Sequence, residues 1–549
     1  MLTIIQMIFN VRRWAFACTL ILTLITVSGC DSDLVVELDD GIVQGKMSGN
    51  SRLFLKIPYA KPPIGPLRWK APEPNDSWGP LVRYETDFSE SCPQLKDQGA
   101  PASNNEDCLY LNVWAPDPPP ENAPVMVWIH GGGNFSGGAS IPIPMVNKRL
   151  WYDGQYFAAN NGVVIVTFNY RLGPFGFLAH PELADEGQPV GNQGLLDQRM
   201  VLKWVKKNID KFGGDPDNVT IFGESAGSAD VCYHVASPES RGLFHRAISQ
   251  SGGCTIGVTG HDQEASNVGS QMVDYGKALG CEEGESQLDC MRHVSVEDLL
   301  ANSNQPSPGD GDTSFTEGDW SFGVVIDGKG GFLPDTPRAI FKRGDIANVP
   351  YLLGANTDEG TTLVWLARPI SNDDEYKEDL RARFGDYADQ VYDMYPPSDF
   401  DGNYNLARIN VVTDSSLLSS TYDTARLAAD AGLDVYMYNF NVPWSLLPKV
   451  MKVAHAAEIS HVFGKPFVWP WPLSNKTVTE ESQNVADAMN TYWATFALTG
   501  NPNWPDAPAL WPRFYSYDDK RLQLDPDWEI LENYRAEKCA FWFKYHGVE

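Results

Sequence analysis

Residues 219–228 read VTIFGESAGS and hold Ser225 between Gly223 and Gly227, directly after four strand-favouring residues. A serine hydroxyl is a poor nucleophile at neutral pH, so one put to chemical use needs a base beside it and a fixed, exposed position. A G-x-S-x-G turn supplies the position: a strand reverses sharply into a helix, and the glycines leave room for the close backbone approach that the reversal needs. The residues that follow, AGSADVCYHVA, are compatible with that helix. Acyl-transfer chemistry also needs a place for the negative charge that develops on the attacked carbonyl oxygen. WIHGGGNFSGG at 128–138 offers consecutive glycines whose N–H groups can turn inward, and with the amide of Ala226 they would form an oxyanion hole. A phosphate-binding loop is the competing reading, but neither a Lys-Ser/Thr ending nor the dinucleotide spacing is present.

A displayed serine needs a rigid edge to stand on. Apolar runs alternate with helical patterns along the chain, which predicts a mainly parallel sheet covered on both faces. VMVWI (125–129), VVIVTF (163–168), VTIF (219–222), RAISQ (246–250), PYLLGA (350–355) and VYMYNF (435–440) are the expected core strands. Continuous apolar runs of this length suit strands buried on both faces. LLDQRMVLKWVKKNID carries Leu195, Leu202, Val205 and Ile209 on one stripe, the pattern of a helix packed on that sheet. VVELDDGIVQGKM and LFLKIPYA predict a small antiparallel meander ahead of the main sheet, turning at Asp40-Gly41. The polar, glycine-rich stretch 258–320 is expected to cap or rim the site.

The chain has 549 residues, 43% of them hydrophobic, enough to bury a large core. No repeat or Gly/Ser-rich linker marks a break, so residues 30–549 are expected to form a single domain. The net charge of −29 repels phosphate backbones, which argues against a nucleic-acid partner. Arg12 and Arg13 precede the apolar run WAFACTLILTLITV, too short for a comfortable membrane span, and residues 1–29 read as a signal peptide. The run ends in VSGC, which resembles a bacterial lipobox. Cys30 would then be lipidated, giving an exported envelope protein, periplasmic or on the surface, held to the membrane by its acyl chains. Simple secretion is the alternative. Cys92 and Cys108 flank one short loop and Cys281 and Cys290 another, spacings that suit local disulfides in an oxidising compartment. Cys232, Cys254 and Cys539 have no partner legible in the sequence, and an odd count leaves at least one free thiol.

Taken together, the motifs resemble the type B carboxylesterase family, the cholinesterase-like branch of the α/β-hydrolase fold. The resemblance spans nearly the whole mature chain, through FLKIPYAKPPIGPLRWKAPEP, EDCLYLNVWAP, HGGG, FNYRLGPFGFL, GNQGLLDQRMVLKWVKKNIDKFGGDPDNVTIFGESAGS, SQSG, VIDG and NTDEG. It implies a large, mostly parallel central sheet flanked by helices, with a small N-terminal antiparallel meander and cap insertions. It also implies a serine carboxylic ester hydrolase that works through an acyl-enzyme and needs no cofactor. Ser225 would be the nucleophile, Glu359 of TDEG the acid and His455 of VAHAAEISHVFG the base. Asp358 is the neighbour that could be mistaken for the acid, and His461 is the rival base. Glu458 and VFG keep the family spacing around His455, although the family usually reads His-Gly where Ala456 stands here. Gly132, Gly133 and Ala226 would hold the oxyanion. Arg68 with Glu106 and Arg171 with Asp197 resemble the family's buried ion pairs, and Cys92–Cys108 and Cys281–Cys290 its loop disulfides. Cys539 matches a family disulfide position whose partner region has no cysteine here. His130 is expected to shape the glycine loop, and the remaining histidines show no metal-ligand pattern.

Departures from the family bear on substrate. Its cholinesterases bind a quaternary ammonium on aromatic faces. This chain has no tryptophan between Cys92 and Cys108, and Leu363 stands in DEGTTLV where an aromatic would. Both features argue against a choline ester, despite Glu224 beside the nucleophile. Phe135, Trp320 and Phe322 are candidate walls of an apolar acyl pocket. The competing function class is a non-catalytic cell-surface binding protein on the same fold. Such relatives typically lose the nucleophile, whereas Ser225, Glu359, His455 and the glycine loop are all present.

Overall fold

A computed structural model describes residues 32–548 except 97–99, 144–148, 257–263, 283–285, 304–321, 365–366, 444–451 and 468–477. The signal segment, Cys30, Trp320 and parts of the expected cap therefore lie outside the described residues.

The strands in chain order begin with β1 (Val35–Leu38), β2 (Gly41–Gln44), β3 (Lys46–Ser48), β4 (Ser51–Pro58) and β5 (Gly79–Tyr84). Next come β6 (Tyr110–Pro116), β7 (Ala123–Ile129), β8 (Val164–Phe168), β9 (Gly214–Glu224) and β10 (Arg246–Gln250). The last five are β11 (Tyr351–Asn356), β12 (Val435–Phe440), β13 (Arg513–Phe514), β14 (Lys520–Leu524) and β15 (Ile530–Glu532). Among the described residues, twelve of these form one sheet in the order β15-β14-β12-β11-β10-β9-β7-β8-β6-β4-β3, with β13 paired to β12. Its centre, from β8 through β7, β9, β10, β11 and β12 to β14, is parallel throughout. Antiparallel pairs appear towards the edges and where the two-residue β13 adds to β12.

Burial on both faces explains why these runs are unbroken in hydrophobicity. Along β7, Val125, Val127 and Ile129 enter one core cluster, while Met126 and Trp128 enter the cluster on the opposite face. The helix Gln193–Asn208 covers the first face with Leu195, Leu202 and Val205, and Ile209 continues the contact in the turn that ends it. Beside it lies the fully buried Arg171–Asp197 pair, at 2.7 Å, and Arg68 meets Glu106 at 2.5 Å.

The N-terminal strands depart from the expected meander in two ways. The hairpin closes at Asp39-Asp40, one residue earlier than expected, because Leu38 pairs with Gly41. LFLKIPYA, moreover, does not stay with the hairpin: β1 and β2 form a three-stranded sheet with β5, while β4 joins the main sheet through β6. Burial explains the split, since β1 alternates exposed and buried residues whereas seven of the eight residues in β4 are buried.

The expected rim contains the helices Ala265–Ala278, Gln287–Arg292 and Val296–Ala301, packed around Val268, Met272, Tyr275, Leu288, Met291 and Leu299. Disulfides join Cys92 to Cys108 and Cys281 to Cys290. A third joins Cys232 to Cys254, 22 residues apart, while Cys539 is free and buried. The crossover from β9 to β10 brings the third pair together, a proximity that local spacing could not reveal. Three disulfides fit an oxidising compartment. Among the described residues no helix is long and apolar enough to cross a membrane.

Candidate active site

β9 is the middle strand of the main sheet, sixth from either end of its strand order, and its carboxyl end delivers Ser225 to the edge of the sheet. The serine sits at φ 58° and ψ −123°, a conformation that costs a non-glycine residue strain and that the surroundings must enforce. Its N–H donates to the Gln250 carbonyl at the end of β10 (2.9 Å), and its carbonyl accepts from Ala229 in the helix Ala226–Ala236 (3.1 Å). The flanking glycines are needed for space. A Cβ on Gly227 would stand 2.1 Å from the Ile129 carbonyl oxygen, and one on Gly223 would stand 2.5 Å from the Gly227 carbonyl oxygen.

The glycine loop leaves β7 and lies directly over this turn. A Cβ on Gly131 would meet the Ser225 Cβ at 2.9 Å and Glu224 Oε2 at 2.9 Å, so loop, serine and carboxylate converge on one spot. Gly132 adopts φ 112°, which only glycine takes readily. Gly132, Ser225 and Ala226 are half-buried and Gly133 is exposed. Among the described residues no acceptor takes the N–H of Gly132, Gly133 or Ala226.

His455 approaches from the loop after β12. Its Nδ1 lies 2.6 Å from Glu359 Oε2, and Glu359 Oε1 accepts from the Asn356 N–H at 2.6 Å. Glu359 is fully buried at the end of β11, which leaves its carboxylate no solvent partner. On the other side of the ring, His455 Nε2 stands 3.2 Å from Glu224 Oε1. Sequence reasoning gave Glu458 no role, yet it completes this cluster. Its carboxylate accepts from Asn356 Nδ2 (2.6 Å) and Gln250 Nε2 (3.2 Å), and Trp493 Nε1 donates to the same Gln250 side chain (3.0 Å).

Three carboxylates around one imidazole set the electrostatics. Burial works against the imidazolium, but Glu224 and Glu359 outweigh it and raise the His455 pKa above the ordinary histidine value. Burial also raises Glu224, with His455 opposing and Glu458 and Glu359 adding to the rise. Glu458 is pushed up to about 7 by burial, with Glu359 adding to the rise.

The alternatives raised by the sequence sit elsewhere. His461 places Nε2 3.0 Å from Ser482 Oγ and packs its ring edge-on against Phe440. Asp358 Oδ2 accepts from the Val453 N–H (3.4 Å), which ties the end of β11 to the histidine loop. His130 is buried with its ring stacked 4.4 Å from Tyr170, inside the root of the glycine loop. Phe135 lies against Gly133 beside the free N–H groups. Phe322 packs edge-on against Tyr275 of the rim, at 5.0 Å.

The fold and the site together define an α/β-hydrolase with a serine displayed on a strand-to-helix turn and an imidazole bound to a buried carboxylate. A model of the carboxylesterase family matches residues 32–542, and the chain belongs to that family. It is a serine carboxylic ester hydrolase. It is also similar to a cholinesterase of Mus musculus, 35% identical over 562 residues, with 94% of this chain and 87% of that protein covered.

Proposed function

We propose that Ser225, His455 and Glu359 act as a catalytic triad on esters of small or medium size. His455 takes the Ser225 proton as the oxygen attacks the ester carbonyl, and Glu359 orients the ring and stabilises the imidazolium. The N–H groups of Gly132, Gly133 and Ala226 receive the oxyanion, and each such donor is worth about 3 kcal/mol of barrier. The alcohol leaves with the proton from His455, and water repeats the sequence on the acyl-enzyme. The observation that carries this reading is a strained serine under a glycine loop, with three N–H groups that no described residue accepts, directly after Glu224, whose Oε1 lies 3.2 Å from the Nε2 of an imidazole anchored at 2.6 Å on buried Glu359.

The similarity to a cholinesterase raises the question of a cationic alcohol. The loop closed by Cys92–Cys108 has no tryptophan and Leu363 replaces an aromatic, so we read the substrate as an uncharged ester. Phe135, which lies against Gly133, would line the acyl side. Turnover of short-chain p-nitrophenyl esters should vanish in Ser225→Ala, and an organophosphate should become attached to Ser225. Unchanged turnover in that variant, or no labelling, would overturn the triad.

We also propose that residues 1–29 are removed as a signal peptide and that Cys30 is lipidated, anchoring the enzyme in the cell envelope through its acyl chains. Metabolic palmitate labelling that survives Cys30→Ser would remove the anchor from this reading and leave secretion.

A further inference from the structure

The glycine loop is held from behind by a buried polar chain that the triad does not use. Asn134 follows the three glycines, is buried and adopts φ 62°. Its Nδ2 donates to Asp230 Oδ1 (3.0 Å), its Oδ1 accepts from Tyr170 Oη (3.0 Å), and its main-chain carbonyl accepts from the Gly173 N–H (2.7 Å). Asp230 stands five residues beyond Ser225 on the nucleophile helix and is fully buried. Its second oxygen accepts from Gln198 Nε2 at 2.6 Å. Tyr170 Oη is also 2.8 Å from the carbonyl oxygen of His130, the peptide from which the glycine loop springs. That carbonyl abuts the nucleophile turn, since a Cβ on Gly227 would lie 2.8 Å from its oxygen.

Counting protons shows that this chain has two complete arrangements. Tyr170 carries one hydroxyl proton and faces two acceptors. When Asp230 is a carboxylate, Asn134 must give it an N–H. The amide oxygen then takes the tyrosine proton, and the His130 carbonyl receives none. When Asp230 is protonated on Oδ1, its O–H donates to the amide oxygen of an Asn134 turned about its last side-chain bond. The Asn134 N–H then donates to Tyr170 Oη, and the tyrosine proton goes to the His130 carbonyl. Gln198 donates to Asp230 Oδ2 in both arrangements.

We propose that Asp230 is a positioning residue whose proton, acting through Asn134 and Tyr170, decides whether the carbonyl at the root of the oxyanion loop is hydrogen-bonded. The proposal rests on the reading that Gly132, Gly133 and Ala226 receive the oxyanion. The loop is fully bonded, and the hole most rigid, when Asp230 is protonated.

The charged and titratable groups around Asp230 leave it to do the switching. From the glycine loop comes His130, and from its own helix His234, whose Nε2 is 3.0 Å from Gln198 Oε1. Burial lowers these histidines to about 4 and about 3, so both are neutral near pH 7. From the segment after β8 comes Tyr170, driven far above its ordinary value by burial and by Asp230. From the helix Gln193–Asn208 comes Gln198, next to Asp197, which is occupied by Arg171. Burial pushes Asp230 itself up to about 7, with the bonds from Asn134 and Gln198 only partly offsetting it.

Asp230→Asn tests the proposal, because its amide donates to Asn134 and accepts from Gln198 and so locks the protonated arrangement. We compare kcat on p-nitrophenyl acetate from pH 5.5 to 8.5, normalised to sites titrated by an organophosphate, so that unfolded protein does not count. The ratio of variant to wild type should be near one at the acid end and rise to about fivefold at the alkaline end, the worth of one neutral hydrogen bond. Tyr170→Phe keeps the ring over His130 and removes the proton that is rerouted, so it should mirror this: equal to wild type at the alkaline end and about fivefold slower at the acid end. If Asp230→Asn does not fold, Tyr170→Phe decides alone. A role confined to stability would shift Tm and leave both ratios constant across pH, and constant ratios would overturn the proposal. Ser225→Ala separates the two levels: if it retains turnover, the triad reading itself fails, whereas constant ratios beside a dead Ser225→Ala sink only the role of Asp230.

Discussion

Replacing Glu359 by glutamine changes one oxygen into an NH2 group and alters little in shape, yet it should nearly abolish turnover. The side chain faces two donors in a fully buried site, the His455 ring N–H at 2.6 Å and the Asn356 main-chain N–H at 2.6 Å. A carboxylate satisfies both, whereas an amide has one oxygen. If that oxygen turns to His455, the amide NH2 confronts the Asn356 N–H, leaving buried donors unmet at about 1–3 kcal/mol. If it turns to Asn356, the NH2 faces His455 Nδ1, and the ring must carry its proton on Nε2 instead. Glu224 rewards that second choice, because its Oε1 stands 3.2 Å from Nε2 and can accept the ring proton there, a bond worth about 0.5–1.5 kcal/mol. Both differences favour the wrong tautomer, in which Nε2 cannot take the serine proton. Loss of the correct tautomer typically costs about 10⁴ in kcat, or about 5 kcal/mol of transition-state stabilisation. The assay is kcat on p-nitrophenyl acetate beside 15N NMR of the labelled His455 ring. A fall of less than about 100-fold, or a ring that keeps its proton on Nδ1, would refute this account of Glu359 and Glu224.

Four further outcomes can be checked. Asp197→Ala strands the Arg171 guanidinium, which is 3% exposed, and should lower unfolding free energy by about 3–5 kcal/mol in urea melts. Removing the Cys232–Cys254 bridge with a double alanine substitution frees a 22-residue loop and should cost about 3 kcal/mol, read as the Tm difference from wild type by calorimetry. Ala456 holds φ 70°, where a Cβ costs roughly 1–2 kcal/mol, so Ala456→Gly should stabilise the fold by up to about 1 kcal/mol after the entropy cost of glycine. Stability should also fall as pH rises from about 6.5 to 8.5. Glu224, Glu458 and Asp230 have raised pKa values, so the folded state holds extra protons and loses that stability as pH climbs through them. His130, His234 and His461 have lowered values and oppose this trend only below about pH 6.5. A Tm that increases between pH 6.5 and 8.5 would contradict the sign.

What could be read from the sequence was what local chemistry determines. The runs at 125–129 and 435–440 had to be doubly buried strands, because an unbroken apolar run has no face to offer water, and they became β7 and β12 with every residue buried. The GESAG turn was legible as a motif of strand-to-helix reversal, although the space its glycines leave is taken only partly by the turn's own Gly227 carbonyl and mostly by Ile129 and His130 at the end of β7. The pairing of Cys232 with Cys254 depends on the β9–β10 crossover, and whether LFLKIPYA joins the hairpin or the main sheet depends on which partner buries its second face.

Asp230 is the instructive middle case. Sequence reasoning passed over it, a lone carboxylate in the mostly apolar helix AGSADVCYHVA, although burying it demands buried donors. Its donors, however, come from Asn134, 96 positions upstream, and from Gln198, 32 positions upstream. The sequence could announce the debt without naming the creditors. The same holds for Glu458, whose partners Asn356 and Gln250 lie 102 and 208 positions away. Both carboxylates sit where the ends of the parallel strands bring distant segments together, and the reacting groups converge on that same edge. A buried acid that breaks the pattern of a helix or loop beside a nucleophile turn therefore marks a place where the fold, and not the neighbouring residues, tunes the chemistry.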